Sequence, residues 1–233
     1  GDHRDLHLSI RRQRQMCIRD RMSSLGYRIC PVTPFVQNCS LIWCETTRQA
    51  AFVDPGGEVD RLLGILEKAD LTLEKIILTH GHLDHVGATG EMVERLDVLV
   101  EGPHEDDLFW IEALDEQSRY FNFPKVSAFL PNRWLHQGDE VTVGEQTLQV
   151  RHCPGHTPGH VVLIHELSRR VWVGDVLFQG SIGRTDFPRG NHAQLLESIR
   201  TQLLLLDDDF AFVPGHGPES TIGHEKQHNP FLQ

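Results

Sequence analysis

The sequence predicts an α/β fold, an αββα four-layer sandwich, on three observations. Short β-rich runs alternate with helical patterns in the first half, a second group of strands follows Gly138, and histidines and aspartates cluster just past apolar strand ends. The 233 residues are 39% hydrophobic, enough for one well-buried core.

Residues 27–30, 40–44 and 50–54 are β-rich and separated by Pro, Asn and charged turn residues, which predicts an initial antiparallel meander. Gly56-Gly57 breaks the chain, after which Val59, Leu62, Leu63 and Leu66 recur at helical spacing up to Ala69. Residues 76–78 resume as a buried strand. A helix over residues 88–96, a strand over 98–100 and a helix over 105–116, acidic on one side, continue the alternation.

From Gly138 the texture changes. Residues 140–143, 147–152, 160–164 and 171–173 are alternating or apolar runs with tight turns, which predicts a second antiparallel sheet. A helix over residues 194–206 and a strand over 210–213 lead into Pro214-Gly-His-Gly-Pro218.

Residues 1–22 differ from the rest. The basic stretch 11–21 lacks apolar periodicity, has no h-region for secretion, and carries aspartates that fit a mitochondrial presequence poorly. Residues 16–21 resemble the translation of a sequencing adaptor. Residues 1–22 are therefore expected to be a non-native or disordered extension, and residues 23–233 a single domain.

A net charge of −11 argues against nucleic acid as a partner, because phosphate binding needs clustered Lys and Arg. The apolar stretches fall well short of the roughly 20 residues that cross a bilayer, so no membrane partner is expected. Five cysteines, an odd count with no Cys-x-x-Cys pair, read as reduced thiols and predict a cytoplasmic location. Monomer and dimer both stay open.

The informative pattern is His80-Gly-His82-Leu-Asp84-His85 directly after the apolar residues 76–78. Four potential ligands leave one strand end together, the place where a rigid scaffold presents chemistry. Imidazoles and a carboxylate suit zinc, iron or manganese, and this loop alone holds too few ligands for two ions. The remainder stand in similar settings: His156 in Cys153-Pro-Gly-His156, Asp175 after Val173-Gly174, and His216 in Pro214-Gly-His216. His80, His82, His156 and Asp175 are expected to form one site, and Asp84, His85, His216 and the shared Asp175 the other. A single histidine is most often a surface or core side chain, so the combination carries the signal. The other histidines, among them His104, His136 and His152, are expected to be structural or exposed, with a positioning role open to His160. Cys153 is expected to pack in the core.

Thr79-His-Gly-His-Leu-Asp-His-Val-Gly87, Pro154-Gly-His-Thr-Pro-Gly-His160, Gly174-Asp175 and Pro214-Gly-His216 resemble the metallo-β-lactamase superfamily over residues 27–233. Gly183-Arg-Thr-Asp-Phe187 and Asn229-Pro-Phe-Leu232 resemble its glyoxalase II branch, the hydroxyacylglutathione hydrolases, in their short single-domain bacterial form. Asp175 departs from the Cys of common zinc β-lactamases. The resemblance implies two divalent transition-metal ions, zinc ahead of iron and manganese, and a small-molecule thioester substrate, a glutathione conjugate.

The implied reaction is thioester hydrolysis of S-D-lactoylglutathione-type substrates by a metal-bridging hydroxide that Asp84 orients. Full-length glyoxalase II adds a helical glutathione-binding domain where this sequence stops, and the family's Tyr after the last metal histidine is replaced by Gly217-Pro-Glu-Ser220. Arg184, with Arg189 behind it, is left as the matched candidate for the peptide carboxylate, and weak glutathione affinity is expected. The main alternative is a mononuclear-iron persulfide dioxygenase, which shares a similar Gly-Arg-Thr-Asp-Phe segment. Lactonase and other hydrolase chemistry can use the same metal pair.

Overall fold

The computed structural model describes residues 24–233; the expectation for residues 1–22 lies outside the described residues. The first sheet has the order β1 (Leu25–Val32), β2 (Gln37–Cys44), β3 (Gln49–Val53), β4 (Thr72–Ile77) and β5 (Leu99–Glu101). Pairing is antiparallel from β1 to β3 and parallel from β3 to β5. The parallel pairs require crossovers. α1 (Val59–Lys68) supplies the first, while α2 (Leu83–Val86) and α3 (Thr89–Leu96) occupy the second.

The second sheet is assembled from β6 (Glu140–Val143), β7 (Gln146–His152), β8 (Val161–His165), β9 (Arg170–Gly174), β12 (Ala211–Pro214) and β13 (Ser220–Thr221). Antiparallel pairing runs from β6 to β9, but β9 and β12 are parallel, so this sheet is mixed where the sequence predicts a purely antiparallel one. The cause is the long return through a small hairpin, β10 (Leu177–Phe178) and β11 (Ser181–Ile182), and a helix, α6 (His192–Ser198). That route carries the chain back to the starting edge of β9.

Strand residues with apolar side chains on both faces explain the continuous apolar runs. In the first sheet Ile42, Val53 and Ile77 face Val150, Leu163, Trp172 and Val213 of the second sheet across one buried cluster. Their neighbours Leu41, Phe52 and Ile76 point the other way, under Leu62 of α1 and Met92 of α3. Likewise Val162, Ile164, Val171 and Val173 pack outward against Leu195 of α6 and Ile222 of α7 (Ile222–His228). Helices, sheet, sheet and helices make four layers, the predicted αββα sandwich. Truncating a fully buried ring such as Phe52 to Ala would cost about 3–5 kcal/mol.

Two predicted helices are interrupted. Residues 105–116 form a 3₁₀ turn over Glu105–Asp107, then α4 (Leu108–Glu112) and α5 (Leu114–Tyr120). His104 caps the turn by accepting the Asp106 N–H, and Asp107 turns inward instead of following an acidic outer face. The helix predicted over residues 194–206 is α6 followed by a wider turn, Ile199–Leu203.

Candidate metal centre

Two of the parallel strand pairs, one in each sheet, place their carboxyl ends beside one another, where open α/β sheets present ligand sites. β3 ends at Asp54 and β4 runs into Thr79 and His80, joined by an Asp54 N–H to Ile77 carbonyl bond of 3.0 Å. β9 runs into Asp175 and β12 into Gly215 and His216, joined by a Gly215 N–H to Gly174 carbonyl bond of 2.8 Å. The Val161 N–H donates to the Thr79 carbonyl at 2.8 Å and ties the two sheets together at this end.

All seven residues expected in the site meet here, in two groups. In the first, His82 Nδ1 lies 3.1 Å from His80 Nε2 and 3.0 Å from His156 Nε2. The His156 Nδ1–H donates to the Arg184 carbonyl at 2.7 Å, so its Nε2 carries a lone pair. The Thr79 hydroxyl donates to Asp54 and its oxygen, 3.1 Å away, accepts from His80 Nδ1, so His80 Nε2 is also a lone pair. Two lone pairs therefore aim at His82 Nδ1, which has at most one proton to offer. A cation at their convergence satisfies all three nitrogens.

In the second group, His216 Nε2 lies 3.1 Å from Asp84 Oδ2 and His85 Nε2 lies 3.9 Å from the same oxygen. The His85 Nδ1–H is taken by Asp54 Oδ2 at 3.0 Å and the His216 Nδ1–H by the Phe35 carbonyl at 3.1 Å. Each ring is thus turned with its free nitrogen inward, the outer-shell arrangement that orients imidazole ligands. Asp175 stands between the groups. Its Oδ1 is 3.4 Å from His85 Nε2, while Oδ2 is 3.7 Å from both His156 Nε2 and His216 Nε2. Buried and without hydrogen-bond partners among the described residues are His82 Nε2, His85 Nε2 and Asp175 Oδ1. The last two face each other across the second position. Orphaned buried polar atoms of this kind fit the ligand set of a cation.

The electrostatics agree with a ligand set. Burial, reinforced by neighbouring imidazoles, pushes the His80 and His82 pKa values well below the ordinary range, which keeps these rings neutral. Burial raises the Asp175 carboxyl, but His85, His156 and His216 together outweigh it and hold the group ionised. Burial would lower His85, yet Asp175 and Asp84 raise it well above the ordinary value: these carboxylates draw positive charge to this position, and a metal ion would take the place of that proton.

Several supporting residues escape the motif reading. Asp54 accepts from the Thr79 N–H at 2.7 Å and hydroxyl at 2.6 Å as well as from His85. Asp107 accepts from the Gly81 N–H at 2.9 Å, the Thr157 hydroxyl at 2.7 Å and the Gly159 N–H at 2.6 Å, clamping the two histidine loops. Burial pushes its carboxyl up to about 6 against those three donors. Asn38 donates to the Pro214 and Gly217 carbonyls and pins the loop that carries His216. Gly215 is required by close approach, since a Cβ there would collide with Asp175 Oδ1 and lie 2.6 Å from His85 Cε1.

His160 has the positioning place left open for it. Its Nε2 accepts the Asp175 N–H at 3.0 Å and its ring stacks on His80 at 4.6 Å. Cys153 is a buried free thiol packed beside Val162 and Leu195, and burial raises its pKa. Arg184 reaches the site through its carbonyl, because its exposed guanidinium is paired with both oxygens of Asp186 at 2.9 and 2.8 Å. Arg189 is exposed, its guanidinium 4.1 Å from the centre of the Phe109 ring.

Comparison with known proteins agrees with this architecture. Residues 32–216 match the metallo-beta-lactamase superfamily model. Hydroxyacylglutathione hydrolase GloC of Haemophilus influenzae is 49% identical over 209 residues, covering 89% of this chain and 98% of the relative. The crystal structure of BLEG-1 B3 metallo-beta-lactamase superposes with a TM-score of 0.82 at 36% identity, over 89% of this chain and 99% of that one. TTHA1623, solved in a di-iron-bound form, gives 0.80 at 38% identity, over 88% and 100%. The matched segment runs from the end of β1 to His216 and the relationships cover nearly whole chains, so this protein belongs to the metallo-beta-lactamase superfamily, as one of its metallo-hydrolases.

Proposed function

We propose that this enzyme hydrolyses the thioester of hydroxyacylglutathione-type substrates, S-D-lactoylglutathione being the test case. The observation that carries the proposal is the 49% identity, over 98% of its length, to a relative named hydroxyacylglutathione hydrolase. His80, His82, His156 and Asp175 would hold one divalent transition-metal ion, and Asp84, His85, His216 and Asp175 the second. Zinc suits the nitrogen-rich set, and the di-iron form of TTHA1623 supports iron as an occupant. Such a pair supplies Lewis acidity and lowers the pKa of a coordinated water from near 16 toward about 7.

The protein's own groups have separable tasks. Asp84 and His216 are the more open side chains, 21% and 28% exposed against 12% for Asp175, so substrate approaches from their side. Asp84 would orient the attacking water by accepting a hydrogen bond from it. Phe35, which packs edge-on to Phe121 at 5.8 Å and whose carbonyl holds His216, offers an apolar surface beside the reacting centre. The departing thiol has a pKa near 8.5 and leaves as thiolate without a dedicated acid. Arg184 would reach a glutathione carboxylate only by exchanging partners with Asp186, which supports a high KM. We take residues 23–233 as one domain. The free buried thiols of Cys30, Cys39 and Cys153 support a reducing, cytoplasmic location. No described helix is long and apolar enough to cross a membrane.

The test is a kinetic screen of metal-analysed protein against S-D-lactoylglutathione, glutathione persulfide, lactones and a cephalosporin. Thioester hydrolysis should exceed cephalosporin hydrolysis by orders of magnitude, with a high KM rather than a low kcat. Oxygen uptake with glutathione persulfide and no thioester hydrolysis would instead identify a mononuclear-iron dioxygenase.

A further inference from the structure

Three histidines outside the main centre also converge. His104 follows β5, His136 precedes β6, and His152 is the last residue of β7. The His104 and His136 rings lie 4.9 Å apart at 74°. That edge-to-face relation matches the pairs of the main centre, His80 with His82 at 4.8 Å and 83°, and His80 with His156 at 5.0 Å and 81°. Between the two rings Glu105 places Oε2 2.7 Å from His136 Nε2 and 3.8 Å from His104 Nε2. One donor atom from each of the three lies within 4.8 Å of the others.

The far sides of both rings face carboxylates. His104 Nδ1 is 3.4 Å from Asp106 Oδ2, and His136 Nδ1 is 3.7 Å from Asp139 Oδ2, an oxygen that also pairs with Arg133 at 3.2 Å. A proton on Nδ1 toward its carboxylate would leave each ring a lone pair at Nε2 toward Glu105, the orientation outer-shell carboxylates impose on metal-binding imidazoles. His104 Nδ1 also accepts the Asp106 N–H at 3.2 Å. A cation at Nε2 would require the His104 proton to sit on Nδ1 instead, where Asp106 Oδ2 can accept its hydrogen bond.

A competing set, His104, Asp106 and His152, is equally compact but less suited. The His152 ring stacks parallel to His104 at 4.3 Å and 12°, which directs their lone pairs alongside each other instead of to one point. His152 Nε2 is engaged with the Pro158 carbonyl at 2.8 Å. His152 is thus a wall of the site.

We propose that His104, Glu105 and His136 form a third cation site, separate from the main centre, for a borderline divalent ion such as Zn²⁺, with water completing the coordination. Two imidazoles and one carboxylate are a known zinc donor set. The His136 and Glu105 side chains are 51% and 47% exposed, so the ion exchanges with solvent and binds more weakly than in the buried centre. The site also sits behind the main centre. The His104 N–H donates to the Gly159 carbonyl at 3.0 Å, and Asp107, two residues beyond Glu105, clamps Gly81, Thr157 and Gly159. An ion here would brace the segment that holds the two histidine loops together.

The test is Zn²⁺ uptake by untagged full-length protein in equilibrium dialysis, with metal counted by elemental analysis. Wild type should bind one more ion per chain than His136→Ala or Glu105→Gln, and its Zn²⁺-dependent rise in Tm should shrink in both variants. Hydrolase turnover after loading only the tight sites should stay within about twofold of wild type, since neither residue touches the main centre. Zinc held elsewhere cancels in the comparison. Equal uptake by wild type and both variants would overturn the proposal and reduce these contacts to an ordinary ion pair.

Discussion

Asp54 Oδ2 accepts the His85 Nδ1 proton at 3.0 Å, and that contact decides which nitrogen of His85 faces Asp175. The same carboxylate holds the backbone and hydroxyl of Thr79, so one residue at the end of β3 sets the tautomers of two imidazoles, His85 directly and His80 through Thr79. Asp54→Ala should therefore weaken metal binding by about 10–100-fold while leaving every candidate ligand in place. Competition against a chelator measures it. Unchanged affinity would show that the tautomers are set elsewhere.

Asp107 acts on backbone rather than on rings. Asp107→Ala leaves the Gly81 and Gly159 N–H groups and the Thr157 hydroxyl without their buried acceptor, and should cost about 3 kcal/mol of stability. Asp107→Asn keeps one acceptor oxygen and should lose roughly half as much. Chemical denaturation of metal-loaded protein checks both, and a wild-type midpoint for the alanine variant would contradict the clamp.

These two aspartates also show where the sequence stops being legible. The main histidines stand out because each lies just past an apolar strand in a Gly-containing loop, a pattern local enough to read without coordinates. Asp54 lies in an equally visible Asp-Pro-Gly-Gly turn, but its partner His85 is 31 positions away and arrives only once β3 and β4 pair in parallel. Asp107 hides in the acidic run Glu105–Asp107, where helical periodicity predicts an exposed face; the 3₁₀ turn rotates it inward. Arg184 reads as a substrate contact because its charge is visible, whereas its carbonyl bond to His156 is not. The mixed second sheet is hidden for a similar reason, since strand direction depends on the route through α6, not on β12 itself.

A pH effect follows from His165, which sits away from the metal centre. Its Nδ1 contacts the Ser168 hydroxyl at 2.7 Å and its Nε2 contacts Gln146 at 3.1 Å, and burial lowers its pKa. Above the unfolded value, about 6.5, both states are neutral and the stability contribution is fully present. As pH falls below that value the unfolded chain takes up a proton that the folded chain refuses, and stability is lost. His165→Gln should therefore lose less stability than wild type between about pH 7.5 and pH 5.5. Parallel pH slopes of the denaturation midpoint would sink this assignment.

Asp175 supplies the sharpest test of the paired centre. Its two oxygens address different groups, Oδ1 toward His85 and Oδ2 toward His156 and His216. A ligand of one ion alone should, when removed, cost that ion and leave the other; a shared ligand should weaken both. We expect wild type saturated at its tight sites to carry about two ions per chain, and Asp175→Ala to hold one or none with nearly all turnover gone. Metal binding is also folding free energy, about 4 kcal/mol when free ion exceeds Kd a thousandfold. Chelation should therefore lower the Tm of wild type substantially and that of Asp175→Ala much less. The comparison separates a metal effect from a packing effect, because the alanine variant loses the side chain whether or not an ion is present. Two ions, near-wild-type turnover and an unchanged chelator response in Asp175→Ala would show that its place between the two groups has no functional consequence.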